Sequence, residues 1–208
     1  GKPFSEEGKK LFGVPFAQFL KLNSEFRYHY RIDKNQMIAS RIAGGVIWSY
    51  GNATTAPYTE QFYIGGCQNN SVRAFSARSI GPGGYPPETD RKYTYINHVG
   101  DIRIEANIEY RFRMIADLHG AVFLDAGNVW LMRKDENRPN GEFTLKNFPK
   151  QIALGTGFGL RYDLDFLVFR LDLGIGLHDP YDTGKSGYYN IPKFKDSMAL
   201  HFAIGYPF

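Results

Sequence analysis

From Phe16 onward, apolar and polar side chains alternate with a period of two. Leu20, Leu22, Phe26, Tyr28, Tyr30 and Ile32 take even positions, and Lys21, Asn23, Glu25, Arg27, His29 and Arg31 take odd ones. That period sends the two sets to opposite faces of a β-strand. The same pattern recurs six times. Between 37 and 50, Ile38, Ile42, Val46, Trp48 and Tyr50 oppose Arg41, Ala43, Gly45 and Ser49. The clearest instance spans 100–114, where every even residue from Ile102 to Met114 is apolar and every odd one from Asp101 to Arg113 is polar. Further strands are predicted near 121–131, 151–162, 166–177 and 197–208, which with 16–33 makes seven.

The connections alternate in length. Those at 33–36, 115–120 and 163–165 are short, whereas 51–99, 132–150 and 178–196 are long. Short turns on one side and long loops on the other are the asymmetry of an outer-membrane β-barrel. Aromatic residues close the apolar faces, with Tyr28, Tyr30, Tyr110, Phe112, Tyr162, Tyr206 and Phe208 on the short-turn side and Trp48, Tyr50 and Trp130 on the loop side. Amphipathic rings at both ends suit the two membrane interfaces. A soluble sandwich or lipid-binding barrel would alternate too, but gives its loops no reason to alternate in length. The expectation is therefore an all-β, antiparallel transmembrane barrel with a long lumenal or extracellular loop at 51–99. Seven strands leave two edges that lipid would not tolerate. Residues 1–208 are thus expected to be the C-terminal portion of a larger barrel, or else a piece that oligomerises through its edges.

Composition changes this picture little. The chain has 208 residues, 43% hydrophobic, and a mean hydropathy of −0.37. No run approaches the ~20 apolar residues of a spanning helix, a test that a spanning strand escapes. A net charge of +4 is spread over 25 basic and 21 acidic residues without a basic stripe, which argues against nucleic acid. Cys67 is the single cysteine, so no internal disulfide forms. The chain begins at Gly1 without a methionine or an apolar targeting segment and reads as a processed or cut piece, its first fifteen residues the end of a loop. Gly155-x-Gly157-x-Gly159 sits inside a strand and opens no helix, so it is not a dinucleotide fingerprint. The histidines at 29, 98, 119, 178 and 201 lack metal-ligand spacing, and no Ser/His/Asp arrangement stands out. No cofactor, metal or catalytic residue is expected.

The long loop holds the most unusual stretch. Gly65-Gly66 is followed by Val72-Arg73-Ala74-Phe75, a lone arginine among apolar residues, and then by a run rich in glycine and proline. Such residues set tight backbone geometry and suit a loop that folds back and docks. Glu109 and Asp125 share the polar, lumen-facing parity of adjacent strands and offer partners to a buried guanidinium. The alternative is that both are ordinary solvated charges. Glycines 155, 157, 159, 174 and 176 leave the inward face of two neighbouring strands bare, making room for a loop or for bending.

These residues resemble a known family. Gly65-Gly66 with Val72-Arg73-Ala74-Phe75 is similar to the Val-Arg-Gly-Phe/Tyr signature of the BamA/TamA-type outer-membrane assembly and translocation barrels, the bacterial surface antigen family. Phe123-Leu124-Asp125-Ala126-Gly127 resembles its Phe-x-Asp-x-Gly strand motif, and Phe202-Ala203-Ile204-Gly205-Tyr206-Pro207-Phe208 resembles its C-terminal signal strand. Ala74 departs from the family's glycine, which bears on the backbone at the tip. The resemblance covers essentially the whole chain, as the last seven strands of the family's barrel. It implies a loop tucked into the lumen with Arg73 meeting Glu109 and Asp125. It implies a non-enzymatic role in the Gram-negative outer membrane, folding and inserting barrel proteins or moving polypeptide. A weak seam beside the last strand would receive client strands. The implied partners are outer-membrane lipid and unfolded outer-membrane proteins, with periplasmic domains and accessory subunits. Two other classes stand beside it: a passive porin or ligand channel, which needs a free lumen, and an outer-membrane enzyme, which needs a catalytic cluster at one rim.

Overall fold

A computed structural model describes residues 10–12, 14–66, 72–87 and 97–208. Cys67 and most of the first fifteen residues lie outside them. The period-two segments form long strands, β3 (Gln18–Arg31), β4 (Gln36–Tyr50), β5 (Ile102–Ile115), β6 (Leu118–Trp130), β7 (Ala153–Asp163), β8 (Val168–His178) and β9 (Met198–Ile204). A two-residue pair, β1 (Lys10–Leu11) and β2 (Val14–Pro15), precedes them. The seven long strands make one antiparallel sheet in chain order, β3 to β9. Among the described residues the sheet is open, β3 pairing only with β4 and β9 only with β8.

Burial is inverted relative to a water-soluble sheet. Along β5, Glu105, Asn107, Glu109 and Arg111 are buried while Ile108, Tyr110 and Met114 are exposed. Charged side chains fully withdrawn from water need partners, and an apolar outer face needs lipid. Leu20, Phe26, Ile42, Leu124, Phe158 and Leu200 continue that outer face. The lumenal face is itself divided. Its short-turn half is ionic, whereas toward the long loops Ile47, Val129 and Ala153 point inward and pack on Ile64, Val72 and Ile80 of the 51–101 loop. The hydrophobic core therefore lies inside the barrel wall, between strand and loop, where alternation alone places the polar side. Among the described residues no helix is long enough to cross a membrane, which says nothing of strands. Two short 3-10 turns, Phe148–Gln151 and Phe194–Ser197, lie in stretches expected to be plain loop.

Two aromatic residues depart from the expected interfaces. Trp130 is 0% exposed. It packs against Phe143 and Phe148, with ring centroids 5.6 and 5.4 Å away, and its Nε1 donates to Gln151 Oε1 at 2.9 Å. The following loop folds over the end of β6 and covers an indole that alternation alone assigns to lipid. At the other end β9 stops at Ile204, short of the expected 208. Gly205 has φ +87°, a left-handed conformation that turns the chain off the sheet. Phe208 is consequently buried, with its carbonyl accepting from Arg111 Nη2 at 2.8 Å, so it does not face lipid.

Candidate functional site: the loop arginine in the lumen

The loop tip is shaped by local chemistry. Gly65 and Gly66 have φ of +95° and +87°, and a Cβ on Gly65 would meet the Ser76 carbonyl. Both positions thus require glycine. The legs join where Gly66 N donates to Phe75 O at 2.6 Å and Arg78 N to Ile64 O at 3.0 Å. Phe75 N closes a turn onto Val72 O at 3.2 Å, with Arg73 and Ala74 at its centre. Val72 is anchored in the apolar core, and Phe75 packs against it.

That turn presents Arg73 to the wall. The side chain is 1% exposed. Its Nε donates to Asp125 Oδ2 at 2.7 Å and its Nη2 to Oδ1 at 2.9 Å, a two-pronged grip. The Arg73 backbone N–H donates to the same Oδ2 at 3.1 Å. Nη1 pairs with Glu109 Oε2. The guanidinium lies over the Phe123 ring, 3.6 Å from its centroid. Asp125 and Phe123 are two apart on β6 and share its inner face, and Glu109 lies directly across from Phe123 on β5.

Glycines make the space. A Cβ on Gly155 would meet the Ala74 Cβ, and one on Gly174 would meet the Arg73 carbonyl. A Cβ on Gly157 would strike the Phe123 ring that lies beneath the guanidinium. Gly127 is packed against Ile104 O, 2.8 Å from where its Cβ would stand, and holds β5 and β6 close. Phe202 and Gly205 take no part in the arginine site. Phe202 faces outward on β9, 65% exposed, and Gly205 ends that strand.

Several participants carried no signal that distinguished them in the sequence. Asp172 on β8 lies 3.9 Å from Arg73 Nη1 and accepts from Arg161 Nη1 at 2.6 Å. Arg161 on β7 also donates to Glu109 Oε2 at 3.1 Å. Asn107 donates to Asp125 Oδ1 at 2.9 Å and accepts from Arg41 at 2.9 Å, which extends the network to Glu105 and Glu25. His201 on β9 donates through Nε2 to the Arg73 carbonyl at 2.8 Å. Inward parity was visible for each of these residues, but the cross-strand register that aligns Asp172 with His201 was not.

The chemistry available is that of a clamp. Asp125 and Glu109 are each engaged by several donors, Asp125 by Arg73 and Asn107 and Glu109 by Arg73, Arg111 and Arg161. Among the described residues no three His, Cys, Asp or Glu side chains converge to hold a metal. In the loop after β8, burial raises the Asp179 carboxyl, and burial together with Asp179 lifts the Tyr181 hydroxyl to about 12. This pair braces a loop that Asn190 ties down further, accepting from Asp179 N at 2.7 Å.

The Omp85 superfamily domain matches residues 11–208. Among solved structures, BamA from Haemophilus ducreyi lacking POTRA domains 1-3 is similar, with 16% identity and a TM-score of 0.61, over 90% of this chain and 35% of that one. CdiB from Acinetobacter baumannii is 16% identical with a TM-score of 0.49, over 90% of this chain and 27% of that one. The chain thus spans between about a quarter and about a third of the length of these structures. No curated protein matches it.

Proposed function

The chain belongs to the Omp85 superfamily, and from that premise we propose that it is the C-terminal part of an outer-membrane barrel that assembles other barrel proteins or moves polypeptide across the membrane. The observation that carries this reading is the buried Arg73, gripped by Glu109 and Asp125 while its own carbonyl is held by His201 on β9. One loop residue thereby links the lumenal plug to the strand at the open edge. The unpaired side of β9 is a template to which an incoming client strand adds through main-chain hydrogen bonds. Gly65, Gly66, Val72, Ala74 and Phe75 set the loop for docking, and Phe123 and Gly127 complete its seat. Unfolded outer-membrane proteins are the proposed clients, with lipid around the barrel and periplasmic domains and accessory subunits as further partners. The role is non-enzymatic. A passive porin is disfavoured because the loop packs against the wall across the lumenal face.

The test is reconstitution of the intact protein in liposomes, presented with an unfolded outer-membrane barrel substrate. Faster appearance of the folded, heat-modifiable substrate than in protein-free liposomes is the expected result. No acceleration, together with a large steady single-channel conductance, would replace the assembly reading with that of a porin.

A further inference from the structure

A second cluster occupies the short-turn end of the lumen. A cavity of about 140 Å³ lies between the β3–β4 hairpin, the inner faces of β5, β6 and β7, and the chain after β9. Arg31 and Lys34 line it from the hairpin side, Arg111, His119 and Arg161 from the wall, and Tyr206 from the tail. The acid that also lines it, Asp33, is engaged: its oxygens accept from Asn35 N at 2.7 Å and Gln36 Nε2 at 3.0 Å.

On the inner face of the wall, Glu109 accepts from Arg111 Nε at 2.7 Å and Arg161 Nη2 at 3.1 Å, and Asp172 takes Arg161 Nη1. These bonds leave donors over. Arg161 is 0% exposed, yet its Nε has no hydrogen-bond partner, and neither does the buried Nδ1 of His119. A buried polar group without a partner is destabilising until something pairs with it. The four cations Arg31, Lys34, Arg111 and Arg161 outnumber the three nearby carboxylates Asp33, Glu109 and Asp172, so the cavity has a positive balance, and low-dielectric walls concentrate its field.

We propose that this cavity binds a small oxyanion, phosphate or a carboxylate. Its oxygens would accept from the unpartnered wall donors, and Arg31 and Lys34 would close over it from the mouth. Guanidinium groups match the planar or tetrahedral oxygen arrays of such ions. The volume suits one ion with a few waters, at roughly 30 Å³ per water. The cavity lies on the short-turn side of Arg73 and shares Glu109 with it through Arg111 and Arg161, and it does not depend on barrel assembly as the function.

The experiment is calorimetric titration of the intact protein in detergent with inorganic phosphate and, separately, with acetate, each against chloride at equal ionic strength. The variant carries Arg31→Gln and Lys34→Gln; both residues are exposed and neither bonds to the Arg73 network. Saturable binding that weakens about tenfold or more in the variant supports the site, tenfold being 1.4 kcal/mol. Binding of phosphate alone assigns the ligand as a phosphate, and binding of acetate alone as a carboxylate. No saturable heat with either ion, or equal affinity in wild type and variant, would overturn the proposal.

Discussion

Arg73 is held by charge rather than by shape. Removing its guanidinium leaves Glu109 and Asp125, both 0% exposed, facing each other without their shared cation. Breaking a buried pair from one side costs about 3–5 kcal/mol. Arg73→Ala is accordingly expected to lower the heat-modifiability midpoint of the intact barrel, and an unchanged gel transition would show the clamp to be dispensable. Arg73→Lys keeps the charge but loses the two-pronged grip on Asp125, so its midpoint should fall between wild type and Arg73→Ala. Steric fit is tested separately at Gly155. The nearest atom to a Cβ there is the Ala74 Cβ, so Gly155→Ala should destabilise and Ala74→Gly should restore much of the loss. A double-mutant cycle in urea reads this coupling directly, and additive losses would count against a shared contact. At this scale the sequence showed the lone arginine, the inward parity of Glu109 and Asp125 and the bare glycines. It did not show Asp172, Arg161 or His201, because parity says which face a residue takes and not which neighbour it meets.

Among the elements, β9 departs most from its sequence pattern. Alternation continues to Phe208, yet the register with β8 ends with Ile204 paired to Phe169, a last bond runs from Gly205 N to Val168 O at 2.8 Å, and Gly205 turns the chain inward. There Arg111 receives the Phe208 carbonyl and lies 5.4 Å from the Phe208 ring centroid and 4.9 Å from that of Tyr206. A side chain at φ +87° is strained, at a cost of roughly 1–3 kcal/mol. Gly205→Ala is therefore expected to straighten the tail and release Phe208. With Cys67→Ser removing the native thiol and Pro207→Cys placing one at a position buried in the folded tail, a polar maleimide should label the Gly205→Ala protein and spare the parent. Equal labelling of both would place the tail outside the lumen. The 51–101 loop shows the opposite case. Its length and its glycines marked it as a docking element, and its apolar residues Ile64, Val72 and Ile80 supply a core that strand alternation cannot reveal.

At the scale of the whole molecule, the sheet has two unpaired edges, the fourteen-residue β3 and the seven-residue β9. Edges of that length recruit other strands. Residues 1–208 produced alone are expected to form detergent-soluble oligomers, seen by sedimentation, whereas a monodisperse monomer would mean that the edges are satisfied within the chain. The strand number, the antiparallel order and the inverted dressing of the sheet were determined by the sequence itself. A period of two is a local property, written within a dozen or so residues, and the alternation of short and long connections is read directly from spacings along the chain. Tertiary structure alone decided the rest: which inward acids meet Arg73, that Trp130 is covered by the loop beyond it, that Phe208 turns into the lumen, and that basic residues of the hairpin and the wall line one cavity with Tyr206 of the tail. Those outcomes depend on register between strands and on where a long loop comes to rest. Both are settled by contacts between residues far apart in the chain, and no local pattern records them.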